Sequence, residues 1–303
     1  ILIMQIGIDL GATKIESVIL DDNGKEVHRS REKSPSNYDE TIISIKNKID
    51  NLEEKFNRSF DVGVCHPGSI SNETGLLKNA NNSPWLNNKK FQKDISKTLN
   101  KNVICENDAN CFALSEAFDG SAKNYNIVFG IILGSGCGGG LIINKEIVKG
   151  SNYLTGEWGH NPLPYYGMLD DEKIDINSGT IIPNIDIEKY ISGKGLENLF
   201  YEKYNKKLSA KDIFKKEDEY EELIKNFYNR LARSLAIIIN TIDPEVIIFG
   251  GGISNEIENL EIIKEMTGNF SGKGKINTNF LKPMYGDASG VRGAARLGRK
   301  INY

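Results

Sequence analysis

Residues 4–20 read MQIGIDLGATKIESVIL, an apolar run from Met4 to Asp9, a turn at Gly11, and a second run from Lys14 to Leu20. Two such runs joined by a glycine turn describe two strands folded back on each other. Asp22-Asn23-Gly24 marks another tight turn, and Glu26 to Arg31 returns as a third strand. A period near 3.6 then places Ile42, Ile45, Ile49 and Leu52 on one face of a helix from about Tyr38 to Phe56. Val62 to Cys65 has the character of a short buried strand and ends at Pro67-Gly68. Strands and helices in this order predict an α/β domain.

The second half repeats the logic. Ile127 to Leu133 is an apolar strand entering a glycine turn, Leu141 to Ile143 leaves it, and Ile147-Val148 extends the sheet. Tyr220 to Ile242 carries the strongest helical pattern, with Leu223, Ile224, Phe227, Leu231, Leu235, Ile238 and Ile239 at core spacing until Pro244 stops it. Val246 to Phe249 is a buried strand running into Gly250-Gly251-Gly252, and Ser289 to Arg299 reads as a final helix. At 303 residues the chain accommodates two α/β domains with a ligand cleft between them. The expected division is residues 4–117 and 118–288, with the helix of about 289–300 packing back on the first.

Composition narrows the function classes. Hydrophobic residues are 39%, charged residues 26% and the formal net charge is −3, so neither a nucleic-acid footprint nor a basic membrane-binding face is indicated. Cys65, Cys105, Cys111 and Cys137 form no Cys-x-x-Cys pair, which argues against a disulfide framework or thiolate metal cage and for a cytoplasmic protein with reduced thiols. No apolar run approaches transmembrane length.

Two strand–turn–strand units suggest phosphate binding. Asp9-Leu10-Gly11-Ala12-Thr13-Lys14 and Leu133-Gly134-Ser135-Gly136 sit at matching places in the two halves. Backbone N–H groups must approach a phosphate chain closely, which glycines and small hydroxyl residues permit. Either turn alone would be a hairpin glycine; together, with Asp9 closing the first strand, they favour phosphate. Gly134, Gly136 and Gly139 also match Gly-x-Gly-x-x-Gly, but a dinucleotide fingerprint must open a helix, and Leu141-Ile142-Ile143 continues as a strand. No Gly-x-x-x-x-Gly-Lys-Ser/Thr occurs, so a P-loop kinase is excluded. Asn107-Asp108-Ala109-Asn110 lies between a strand and an Ala-rich helix, where Asn107 or Asp108 would be either a helix cap or a carboxylate able to take a hydroxyl proton. Gly156-Glu157-Trp158-Gly159-His160 concentrates a carboxylate and an imidazole suited to vicinal hydroxyls, whereas His28 and His66 lack such company.

These motifs in this order resemble the ROK family of bacterial sugar kinases over Met4 to about Leu297. The resemblance rests also on Pro67-Gly68, on Ile247-Ile248-Phe249-Gly250-Gly251-Gly252 and on Gly290-Val291-Arg292-Gly293-Ala294-Ala295. It implies a two-domain actin/hexokinase-type, ribonuclease H-like fold with an interdomain active-site cleft. Asp108 would be the base that activates a sugar hydroxyl. Gly68, Asn81, Asn107, Glu157, His160 and Glu188 would hold the sugar. Asp9, Gly11, Thr13, Lys14, Gly134, Ser135 and Gly136 would hold the ATP phosphates, with Gly251 and Gly252 against the adenosine and Asp9 orienting Mg²⁺ through water. Family members are commonly dimers.

Gly159-His160-Asn161-Pro162-Leu163-Pro164 resembles the manno/fructokinase branch, making fructose the expected substrate, while Asn107 to Ala117 resembles the N-acetylglucosamine kinase branch equally well. N-acetylhexosamine, glucose and mannose are therefore alternatives. One departure is clear: where most members carry zinc-binding cysteines, this chain has Gly179, Ile181 and Asp186, so no structural zinc is expected, and isoleucines between residues 174 and 185 would replace the metal clip. A ROK transcriptional repressor is disfavoured because the first strand begins at about Met4. A non-catalytic sugar sensor is disfavoured by Asp108 together with both phosphate turns, and an actin-like structural ATPase by the Glu157/His160 pair.

Overall fold

The computed structural model describes residues 4–172, 185–272 and 274–298. The chain forms two compact units: one takes the residues up to Asn124, Gly140–Thr155 and those from Met284 onward, the other Tyr125–Gly139 and Gly156–Pro283.

The first unit is built on β1 (Met4–Leu10), β2 (Lys14–Asp21), β3 (Glu26–Lys33), β4 (Asp61–His66) and β7 (Val103–Asn107), ordered β3-β2-β1-β4-β7. β2 runs antiparallel to β1 and β3, whereas β1, β4 and β7 run parallel, so Asp9, His66 and Asn107 all fall at the same edge of the sheet. α1 (Tyr38–Phe56) starts where the Asn37 side chain accepts from the Glu40 N–H and stops at Asn57, whose φ of 48° is left-handed. Its Ile42, Ile45, Ile49 and Leu52 are buried, as their spacing requires. A short hairpin, β5 (Ser69–Ile70) and β6 (Leu77–Lys78), precedes α2 (Phe91–Leu99), and α3 (Asp108–Phe118) leaves β7.

The second sheet has the order β10-β9-β8-β11-β12, from β8 (Ile127–Leu133), β9 (Cys137–Ile143), β10 (Glu146–Ile147), β11 (Val246–Gly250) and β12 (Asn279–Leu281). β11 runs parallel to both β8 and β12. α4 (Glu188–Ile191), α5 (Gly193–Tyr204), α6 (Ala210–Phe214), α7 (Glu221–Ile242), α8 (Gly252–Glu256) and α9 (Leu260–Phe270) complete the second unit. α7 ends at a left-handed Asp243 (φ 50°) before Pro244, as the sequence indicated.

α10 (Ser289–Leu297) returns to the first unit and packs on β1, β4 and α3. It comes so close that a Cβ on Gly7 would overlap the Val291 carbonyl oxygen, one on Gly63 that of Ala294, and one on Gly293 that of Cys111. The carboxylate of Glu116, fully buried on α3, accepts from Met284 N (2.9 Å), Tyr285 N (3.1 Å), Ser289 Oγ (2.8 Å) and Ser121 N (2.9 Å), fixing the approach to α10. Arg292 and Arg296 of α10 both bond the Asp119 carboxylate.

Gly293→Ala is expected to destabilise the protein by roughly 1–3 kcal/mol, because the added methyl must push α10 off α3. The shift of the urea unfolding midpoint checks this; an unchanged midpoint would mean that α10 can move without loss.

Candidate active site

In the first unit, Asp9 closes β1, paired with Cys65 of β4 and Glu16 of β2. Gly11 N donates to Lys14 O (3.0 Å), and Ser34 N to Thr13 O (3.0 Å), which fixes the turn beyond it. Gly290 of α10 lies against the Asp9 carboxylate, where a Cβ would stand 3.3 Å from Oδ2. Burial raises the Asp9 carboxyl to about 6; a hydrogen bond from Cys65 opposes the shift, and the negative charges of Asp108 and Glu16 add to it.

The choice left open at the β7–α3 junction is resolved by geometry. Asn107 is the cap, its Oδ1 accepting from Asn110 N at 2.8 Å, and Asp108 is the first helical residue. The Asp108 carboxylate accepts from Ala109 N (2.8 Å), the residue is exposed, and desolvation raises its carboxyl above the usual range. Asp108 therefore does not serve as the helix cap.

Gly68 has φ 76°, and a Cβ there would overlap the Lys78 carbonyl oxygen, so the Pro67-Gly68 turn lies directly on the segment that leads through Asn79 (φ 61°) to the exposed Asn81. His66 is buried, desolvation lowers its imidazole pKa, and its Nδ1–H donates to Pro67 O (3.1 Å). It lines a cavity of about 430 Å³ together with Ser69, Asn107, Asn110 and Lys149.

In the second unit the turn between β8 and β9 carries Gly134, Ser135 and Gly136. Gly134 N donates to Gly136 O (3.0 Å), and Gly193 N to Gly134 O (2.7 Å). Glu188, the first residue of α4, accepts from Cys137 N through Oε2 (2.8 Å), and a Cβ on Gly136 would come 2.7 Å from that oxygen. The glycine turn and Glu188 are thus one structure. Gly251 (φ 87°) lies so close to Leu133 that a side chain would strike its carbonyl, which brings the β11–α8 turn beside the end of β8; Gly252 faces open space.

Glu157, Trp158 and His160 form a 3-10 turn seated on β9. Buried Trp158 donates from Nε1 to Gly138 O (2.9 Å), and a Cβ on Gly159 would overlap the Cys137 carbonyl. His160 Nε2 lies 3.6 Å from Glu157 Oε2 and Nδ1 3.9 Å from Asp186 Oδ2, with the histidine side chain 65% exposed. The structure therefore joins Asp9 with Asp108 and Asn107 in the first unit, and the Gly134–Gly136 turn with Glu188, Glu157, His160 and Gly251 in the second.

The surroundings of His160 do not suit a structural zinc. Its acidic neighbours offer oxygen, whereas such sites use four Cys or His ligands. Among the described residues no group of three or more His, Cys, Asp or Glu is arranged to hold a metal. Gly179 and Ile181, with Ile174, Ile176 and Ile182, lie outside the described residues.

Sequence reasoning missed one cluster. Arg230 and Arg233, three apart on the buried face of α7, are fully buried with Glu172. The available signal was two arginines inside the most regular apolar pattern in the chain.

The pattern of the ROK family matches residues 5–301. The chain belongs to the ROK family. It is similar to the N-acetyl-D-glucosamine kinases of Histophilus somni, 36% identical over 97% of this chain and 98% of the relative, and of Mannheimia succiniciproducens, 35% identical over 97% and 99%. Among solved structures, the ROK hexokinase from Thermus thermophilus aligns with a TM-score of 0.83 at 20% identity, covering 97% of both chains. A ROK glucokinase from Streptomyces griseus in complex with glucose and AMPPNP aligns at 0.73 and 22% identity, over 97% of this chain and 98% of that one. The expected actin/hexokinase-type α/β fold is thus observed, and the protein is a ROK sugar kinase. Among the described residues no helix is long and apolar enough to cross a membrane.

The raised Asp9 carboxyl gives a signed prediction. Between its ordinary value of 3.8 and about 6 the folded protein holds a proton that the unfolded chain has lost. Stability from this group is therefore full below about pH 4 and is lost as pH rises through 6. In metal-free buffer, Asp9→Asn should be more stable than wild type at pH 7.5, by up to about 3 kcal/mol, and no more stable at pH 4. Urea unfolding at the two pH values measures it; a variant equally or less stable at pH 7.5 would show that Asp9 is not held against its ionisation.

Proposed function

We propose that the protein phosphorylates N-acetyl-D-glucosamine on its C6 hydroxyl with ATP. The observation that carries this reading is the similarity, at 33–36% identity over 97% of the chain, to relatives bearing that activity in their names. Near-full-length similarity outweighs the short Gly159–Pro164 run that pointed to fructose.

The Asp108 carboxylate takes the proton of the sugar hydroxyl as that oxygen bonds to the γ-phosphorus. The bond from this phosphorus to the β–γ bridging oxygen breaks, and ADP leaves with the electron pair. A desolvated carboxylate with a raised pKa is a stronger base than a solvated one, and its place at the first helical position leaves it accessible. Gly68, Asn81, Asn107, Glu157, His160 and Glu188 orient the sugar, and Gly11, Thr13, Lys14, Gly134, Ser135 and Gly136 receive the phosphates, with Gly251 and Gly252 towards the adenosine. Phosphoryl transfer relies chiefly on such positioning and charge neutralisation. Asp9, partly buried and repelled by Asp108, suits a hydrated Mg²⁺, which when bound supplies charge neutralisation at the phosphates. We place the enzyme in the cytoplasm, in keeping with four free buried cysteines, and by family analogy as a homodimer.

ATP consumption against N-acetylglucosamine, N-acetylmannosamine, glucose, mannose and fructose should give the highest kcat/KM for N-acetylglucosamine. A preference for fructose would restore the branch indicated by Gly159–Pro164 and end this reading. Asp108→Asn should lower kcat by ~10²–10⁴-fold, about 3–5 kcal/mol of barrier, with ATP affinity nearly unchanged; near-wild-type turnover would remove Asp108 from the chemistry. Elemental analysis should find substoichiometric zinc, and activity with excess Mg²⁺ should resist zinc chelators. One tightly held zinc per chain would overturn the donor-set argument.

A further inference from the structure

Two of the proposed sugar-binding groups, His160 and Glu188, sit on chain segments that hydrogen-bond to each other. Ile187 N donates to Asn161 O and Leu163 N to Ile185 O, both at 2.9 Å, and Pro162 bridges Asp186 in antiparallel fashion. A paired loop of this length, joined by a single bridge, needs an anchor to hold its side chains to the sub-ångström precision that binding demands.

The anchor visible in the structure is ionic. Arg233 of α7 donates from Nη1 to the carbonyls of Pro164 (2.9 Å) and Tyr165 (2.8 Å), a few residues beyond His160. The same guanidinium binds Glu172, through Nη1 to Oε2 (3.2 Å) and through Nη2 to Oε1. Arg230, one helical turn away, donates from Nε to Glu172 Oε1 (2.9 Å), pairs with Asp171 (2.6 Å), and lies 5.3 Å from the ring centre of Tyr190, two residues after Glu188. Tyr190 in turn donates its hydroxyl to Tyr166 (3.2 Å). Glu172 also accepts from Gly167 N (3.1 Å), closing the loop on itself. From α7 the web reaches the Pro164 and Tyr165 carbonyls through Arg233 and the Tyr190 ring through Arg230.

We propose that the buried Arg230–Glu172–Arg233 cluster is a positioning device that sets His160 and Glu188 for the sugar. A purely apolar plug could fill the same space, but it could not fix the Pro164 and Tyr165 carbonyls, which need donors in a planar fork. Apolar replacements of whole buried triads are often as stable as the original, so a positioning role predicts lost sugar affinity without lost stability. That contrast separates positioning from mere support.

The proposal rests on the assignment of His160 and Glu188 to the sugar, and its test uses whichever hexose the wild-type enzyme prefers. Breaking the cluster with Glu172→Gln leaves two guanidinium groups uncompensated and should lower the Tm by roughly 10 °C. The decisive variant replaces all three together, Arg230→Leu, Glu172→Met and Arg233→Leu. It should hold its Tm within a few degrees of wild type, yet raise the sugar KM and the calorimetric sugar Kd about tenfold or more, with kcat and the ATP KM little changed. Arg233→Lys, which keeps the charge but not the fork, should raise sugar KM severalfold even if the triple variant fails to fold. A folded triple variant, or Arg233→Lys, with wild-type sugar KM and Kd would reduce the cluster to structural support and overturn the proposal. If His160→Ala and Glu188→Gln also left sugar affinity unchanged, the underlying sugar assignment would be at fault instead.

Discussion

At three glycines the backbone of α10 comes directly against the first sheet and α3, and Asp9 and Asp108 lie beside that contact. Gly7 and Gly63 on the sheet and Gly293 on the helix each occupy a place where a Cβ would overlap a carbonyl oxygen. At such separations helix, sheet and α3 cannot slide without collision, because packed interiors have no slack to absorb it. Asp9 ends one of the strands beneath α10, Asp108 begins the helix beside it, and Gly290 touches the Asp9 carboxylate. Glu116 then ties residues 284–289 to α3 with three hydrogen bonds, so the last helix is held at its start as well as along its length.

The second unit solves a different problem. Its ligand-bearing residues come from a glycine turn, a 3-10 turn and the start of a four-residue helix, none of which is rigid alone. Rigidity is borrowed: Glu188 is bonded to Cys137 N, Gly159 is pressed on the Cys137 carbonyl, and Gly251 on Leu133. The end of β8 and the start of β9 are therefore the common seat of the proposed phosphate turn and both proposed sugar groups.

Much of this was legible in the residues. The bounds of α1 and α7 follow from an apolar period closed by identifiable caps, Asn37 and Asn57 for one and Asp243-Pro244 for the other. The glycine turns at Gly11 and Gly134 were readable because strands on both sides frame them. The closeness of Glu188 to Gly136 was not, since 51 residues separate Glu188 from Cys137 and no local rule links them. The buried arginines of α7 were hidden for the opposite reason: they sit in register with an apolar face, and only a distant carboxylate makes that register tolerable. Choosing the sugar from Gly159–Pro164 failed to match the relatives because a short loop samples few of the side chains that would surround a substrate.

The acids of this protein sort by what faces them. Burial would raise the carboxyls of Glu16 and Glu172, yet Arg31 with Arg29 outweighs it at the first, and Arg233 with Arg230 at the second, so both fall below the ordinary range. Asp9 and Asp108 are also desolvated, but among the described residues no arginine hydrogen-bonds to either, and burial wins at both, over the distant charges of Lys14 and Arg31 at Asp9. Asp9 and Asp108 thus stand as two mutually repelling groups at one sheet edge. Such an arrangement is unfavourable to the fold in isolation and becomes favourable only when a proton, a cation or a hydroxyl donor arrives. These two desolvated acids, rather than the arginine-paired ones, are the ones to which the proposed phosphoryl-transfer chemistry is assigned.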